Sequence, residues 1–189
     1  MSSYEISRLQ KLDILIDDAT AFFSVKENCT KFPLLFSVFN YWNDKRGDKF
    51  APNYSQIELR DLPIDVIPRS VVVDVQSDGS DFRFRFWGTK VVDSTGQEMT
   101  GKSVTDILPK SLSKKAFDSY VQVFKRQLPI VEKTYGKAFS VDSDELFLRL
   151  PMSSNGIDVD IILTAVEIRP KDSEYFKDRM EKSTSKNNI

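Results

Sequence analysis

The stretch Asp81–Pro109, DFRFRFWGTKVVDSTGQEMTGKSVTDILP, decides the fold. Phe82-Arg83-Phe84-Arg85-Phe86 alternates strictly between apolar and charged residues, as a strand does when its side chains leave opposite faces of a sheet. The strand breaks at Gly88-Thr89. About twenty residues follow that are too polar, and too often interrupted at Gly96 and Thr100-Gly101, for one long helix. They read as short turns wrapped over a sheet face, and such a wrap can enclose a small cavity. Gly101-Lys102-Ser103 lacks the preceding glycine pattern of a phosphate-binding loop.

The upstream residues extend this reading. Val71-Val72-Val73-Asp74-Val75 is β-branched and bounded by Pro68 and by Ser77-Asp78-Gly79-Ser80, so a hairpin joins it to Phe82–Trp87. Three prolines between Pro52 and Pro68 preclude long regular structure, leaving a connector with one turn of helix at Ser55 to Leu59. Before it, Leu35, Phe36, Val38, Phe39 and Trp42 mark the broad apolar face of a helix that ends at Arg46-Gly47-Asp48. Downstream, Leu112, Ala116, Phe117, Tyr120, Val121 and Phe124 repeat at helical spacing between Pro109 and Pro129, predicting a long amphipathic helix laid across the sheet. Strands are predicted over Ile130 to Phe139, Glu145 to Leu150 and Ile157 to Glu167, with Ser153-Ser154-Asn155-Gly156 turning between the last two. An Arg149–Asp158 pair would then sit across that hairpin as an exposed register contact.

FRFRFWGTKVV followed by TGKSVTDILP resembles the PAS sensory-domain superfamily, in particular a bacterial group of small, stand-alone PAS proteins. Tyr41-Trp42, Arg46-Gly47, Pro52, Asp61-Leu62-Pro63 and Ile67-Pro68 match the same group in order and spacing, and the resemblance covers roughly Phe32 to Val166. Gln56 and Leu59 depart from it, where many relatives carry an acidic residue and a proline. The order of two strands, short helices, a long helix and three strands agrees with that arrangement independently. The expected fold is α+β: a PAS-like five-stranded antiparallel sheet with short helices and one long helix over one face, plus an N-terminal helical extension. The expected organisation is residues 1–28 as an N-terminal helix for dimerisation or docking, 29–169 as the PAS-like domain and 170–189 as a polar C-terminal tail whose last ten or so residues are disordered.

In the N-terminal segment, Ser2-Ser3-Tyr4-Glu5 has capping-box spacing, and Leu9, Leu12, Ile16, Ala19 and Phe23 recur every three or four residues. This predicts one helix with an apolar seam, which either docks on the chain's own sheet or pairs with a second copy in a homodimer.

Composition excludes several classes of function. The 189 residues suit one domain with additions, and a net charge of -1 from 27 basic and 28 acidic side chains favours neither nucleic acid nor an anionic membrane. There is no histidine, hence no histidine-activated nucleophile, no histidine-ligated haem and no histidine-bearing zinc site. The single cysteine, Cys29, forms no intramolecular disulfide, and it lies far from the segment that carries the flavin-reactive cysteine of light-sensing PAS relatives, so no cysteine-adduct flavin is expected. No apolar run approaches a membrane span, and the N-terminus lacks the order of a signal peptide, so the expected location is cytoplasmic. The carboxylates are scattered rather than clustered, and no enzyme activity is expected.

Alternation puts Phe82, Phe84 and Phe86 on one face and Arg83, Arg85 and Trp87 on the other. With the phenylalanines inward, the arginines are surface residues; with Arg85 and Trp87 inward, they make a cationic and aromatic wall for an acidic or aromatic ligand. The candidate ligand-binding residues are Arg85, Trp87, Thr89, Tyr120 and Phe124. As the resemblance implies, PAS domains bind small molecules between sheet and helices, or bind proteins, and pass a conformational bias onward. No kinase signature or helix-turn-helix follows residue 170, so the expected output runs through an unidentified signalling partner.

Overall fold

A computed structural model of the protein describes residues 14–76, 78–135 and 143–170. Six strands form one antiparallel sheet: β1 (Ile14–Asp18), β2 (Ser70–Val75), β3 (Phe82–Trp87), β4 (Ile130–Tyr135), β5 (Ser143–Met152) and β6 (Ile161–Pro170). Their spatial order is β1-β4-β5-β6-β2-β3, in which β2 to β6 are the five expected strands and β1 is a sixth, added beside β4. Among the described residues five α-helices accompany them: α1 (Ala19–Ser24), α2 (Lys26–Lys31), α3 (Pro33–Arg46), α4 (Thr89–Thr95) and α5 (Lys110–Arg126).

Both faces of the sheet are covered. On one, α3 starts with Pro33 in its first turn, where a missing N–H is harmless, and buries Leu35, Val38, Phe39 and Trp42 against β5 and β6. The Trp42 indole donates to the Pro151 carbonyl at 2.8 Å, which satisfies its polar edge inside the core. The partners of α3 are Leu146, Leu148, Leu150 and Met152 of β5 with Leu163 and Ala165 of β6. On the opposite face α5 buries Tyr120 and Val123, and the short elements between Gly88 and Pro109 bury Val91, Met99, Val104 and Ile107. Their partners are Val71, Val73, Phe82, Phe84, Phe147, Ile162 and Val166.

The wrap is fastened at three places. Residues 101–103 run beside β3, where Gly101 N donates to Phe84 O at 2.7 Å and Phe84 N to Lys102 O at 2.9 Å, so this part of the sheet edge is paired. The Ser103 hydroxyl donates to Asp81 at 2.6 Å and opens a capped turn over Val104–Asp106, the structural role of the Thr-Gly-Lys-Ser run. Gln97 clamps the far end, its amide donating to Leu108 O at 2.8 Å and accepting from Leu108 N at 2.9 Å. At the entry, Gly88 has an ordinary φ of -66°, but a Cβ there would lie 2.4 Å from Pro68 O and 2.8 Å from Ser70 O. Close backbone approach, and no special conformation, is what requires glycine.

Three sequence expectations are corrected. The helix predicted through Leu9–Phe23 does not run unbroken: Ile14–Asp18 is a strand, because the outer edge of β4 offers backbone pairing from Ile14↔Thr134 to Asp18↔Ile130 that outweighs local helical periodicity. Asp18 then caps α1 by accepting from Thr20 N at 2.7 Å. Leu9 and Leu12 lie outside the described residues, as do 136–139 of the strand predicted over Ile130 to Phe139 and everything after Pro170. Second, β6 begins at Ile161 and Ile157 is exposed, since the Asn155 carboxamide accepts from Ile157 N and Asp158 N and holds the turn as a longer loop. Third, Arg149 therefore faces Thr164 and not Asp158.

Candidate functional site

Alternation along β3 does not survive intact. The register passes from Val72↔Phe86 to Val73↔Phe84, so Arg85 is an extra residue that forms a β-bulge. Phe82 and Phe84 point into the cluster beneath α5, Phe86 packs toward the opposite face, and Trp87 returns beneath the wrap. Neither of the two faces expected from strict alternation exists. Trp87 is inside and Arg85 is outside.

Between β2, β3, β5, β6 and the wrap lies a cavity of about 40 Å³. Its sheet wall is Val71, Phe84, Trp87, Phe147, Arg149, Thr164 and Val166; Val91, Ile107, Ala116 and Tyr120 close it from the helical side. Most of this surface is hydrocarbon or aromatic, with a polar patch at Arg149, Thr164 and Tyr120. The Arg149 guanidinium donates from Nη2 and Nε to one oxygen of Glu132 at 3.0 and 3.3 Å, and from Nη1 to the Thr164 hydroxyl at 3.2 Å. Ser119 donates to the same Glu132 oxygen at 2.6 Å, and the Tyr120 hydroxyl shares a hydrogen bond with Thr164 at 3.3 Å. Arg149 also stacks 4.5 Å from the Tyr120 ring centroid and 5.2 Å from that of Phe147.

This network is buried, with Arg149 and Glu132 each only 4% exposed. Burial pushes the Tyr120 phenol above its ordinary range, against the pull of the Arg149 charge, so the hydroxyl is retained as a donor. Lys115, half-buried on α5, has its ammonium pKa lowered by desolvation and partly restored by Glu132.

One residue of the cavity wall carries a polar atom that stands apart. Trp87 is 7% exposed, and its Nε1–H is buried with no acceptor among the described residues. A buried donor left unmade costs about 1–3 kcal/mol. The Phe84 ring, edge-on at 4.6 Å, holds the indole in place.

The five candidate ligand residues separate accordingly. Trp87 and Tyr120 line the cavity. Arg85 lies on the other side of the sheet, where it pairs with Asp74 at 2.6 Å and covers the Tyr54 ring at 5.1 Å; the hydrogen bond it donates to Asp74 holds its guanidinium charged. Thr89 is the exposed first residue of α4, and Phe124 covers the hairpin turn at Gly79 instead of the cavity. Of the candidate dimer seam, Ala19 is fully buried and Phe23 is 5% exposed, both within this chain's own core, and Ile16 lies on β1. Sequence reading passed over Glu132 and Thr164, assigned Phe147 no role and gave Arg149 only as half of an exposed register pair. The available signal was two opposite charges, Glu132 and Arg149, on consecutive strands, the second on a strand whose other face is a run of leucines. Among the described residues, no group of three or more histidine, cysteine or acidic side chains is placed to hold a metal, and no helix is long and apolar enough to cross a membrane.

An antiparallel sheet in which β2 to β6 are closed on one face by short helices and one long helix around a small, partly polar cavity has the α+β architecture expected of a PAS domain. Residues 31–165 match the family model described as PAS domain, and the chain belongs to that family. No curated protein and no solved structure matches it.

Proposed function

We propose that this chain is a cytoplasmic, non-enzymatic PAS sensor that binds a small organic molecule between sheet and helices and signals through a protein partner. The observation that carries the reading is the unpaired Trp87 N–H beside a preorganised polar patch in an otherwise apolar cavity, a composition suited to small-molecule recognition. Occupancy would be felt by Val91 and Ile107 in the short-helix wrap, so a ligand can bias the positions of surface elements that a partner reads. Native mass spectrometry of the purified protein tests this. Extra mass that leaves on denaturation is expected; a clean polypeptide mass from several expression hosts overturns it.

A second reading is a filled-core interaction module without ligand. The small volume of the cavity favours it, since an engineered cavity that binds benzene is roughly 150 Å³. In either case we propose a homodimer through the N-terminal segment that carries Leu9, Leu12 and Ile16; Ala19 and Phe23 of the same seam are buried in the chain's own core. Light scattering of wild type and Leu12→Glu tests this part: a dimer that the charge dissociates is expected, and a wild-type monomer at micromolar concentration ends it.

A further inference from the structure

The chemistry of the cavity narrows the class of ligand. Resting on the reading of this cavity as a binding site, we infer that its occupant is a small uncharged molecule bearing a hydrogen-bond acceptor, which Trp87 Nε1 reads, while Arg149 belongs to the fixed wall.

Arginine in a ligand cavity ordinarily points to an anion. Here its charge is already balanced: Glu132 takes two of its N–H groups on one oxygen at 3.0 and 3.3 Å, Thr164 takes a third at 3.2 Å, and both charged side chains are 5% exposed. A carboxylate ligand would bring a third charge into a neutral buried set and leave it with a net negative charge. Lys115 is the other cation near this group; it faces Glu132 and does not line the cavity. A neutral acceptor meets no such penalty. It satisfies the orphan indole donor and rests its body on Val71, Val91 and Val166.

Size is the second constraint. At about 40 Å³ the cavity admits only a few heavy atoms as it stands, and a larger occupant must displace the Val91 and Ile107 side of the wrap. Probes of two sizes therefore enter the test.

The chain has two tryptophans, so a ¹⁵N-labelled sample gives two indole N–H resonances. Trp42 already donates to Pro151 O on the other side of the sheet and serves as an internal reference. Acetone and acetate form a small matched pair, acetophenone and benzoate a larger one, and cumene is the larger probe without an acceptor. A ketone of at least one size is expected to shift the Trp87 resonance saturably while Trp42 stays in place. The matched carboxylate should bind at least about tenfold more weakly, because its charge must be desolvated beside a pair that is already neutral. Trp87→Phe, which keeps an aromatic ring and removes the donor, should abolish the preference for acetophenone over cumene, read in this variant from the backbone amide resonances of Val91 and Ile107 on the cavity wall. Carboxylate binding as tight as the ketone overturns the uncharged class and leaves the cavity reading standing. Equal binding of acetophenone and cumene to wild type overturns the role of Trp87 alone. No response of the Trp87 resonance to any probe overturns both the inference and the cavity reading.

Discussion

Replacing Glu132 by glutamine puts a number on the buried pair that floors the cavity. Glu132→Gln keeps the size of the side chain and an oxygen for Ser119 and Arg149, but it leaves a guanidinium that is 4% exposed without a counter-charge. Removing one member of such a pair typically costs about 3–5 kcal/mol, because the remaining charge stays desolvated. The retained carbonyl acceptor argues for the lower end, about 3 kcal/mol, and for a chain of this size that lowers the melting temperature by about 6–12 °C. Adding Arg149→Met removes the stranded charge, so the double variant should regain at least half of the loss even though it lacks two polar groups that wild type has. Urea unfolding followed by circular dichroism, with the slope checked for constancy, reads all three proteins. A Glu132→Gln variant within about 1 kcal/mol of wild type would falsify the reasoning, since only water reaching Arg149 could make the change so mild. A double variant no more stable than the single one would remove the charge from the explanation and leave packing.

Gly88→Val should unfold well below wild type, because a Cβ placed 2.4 Å from the Pro68 carbonyl displaces the backbone that starts β2; identical melting curves would show that the approach relaxes freely. Burial raises the pKa of the Tyr120 phenol in the folded chain, so the stabilisation it gives is fully present below the unfolded value of about 10 and is lost as pH rises from there through the folded pKa. Tyr120→Phe should flatten that alkaline decline, and an unchanged slope would mean the phenol titrates as if exposed. Arg85→Gln breaks a partly exposed pair with Asp74 and should lower stability by no more than about 1 kcal/mol while leaving any retained ligand mass in place. Loss of that mass in a folded Arg85→Gln protein would return Arg85 to the binding site.

Local pattern alone determined the parts of this protein whose causes are local. The β-branched run at Val71–Val75, the proline-bounded amphipathic helix after Pro109 and the glycine-broken segment after Trp87 each specify their element through backbone preference and periodicity, and the ordered residues from Tyr41 to Pro109 were enough to indicate the family. Only tertiary structure decided which side chains meet. The leucines of β5 invite the reading that Phe147 and Arg149 face water; α3 covers the leucine face and α5 with the wrap covers the other, so both sets are inside. One bulged residue, Arg85, sent itself outward and brought Trp87 in, and a two-residue periodicity cannot announce where it will break. The strand at Ile14–Asp18 exists because β4, more than a hundred residues later in the chain, has a free edge to pair with. Helical spacing in the N-terminal segment records only local preference, whereas a ladder of backbone hydrogen bonds depends on a partner that local sequence does not contain.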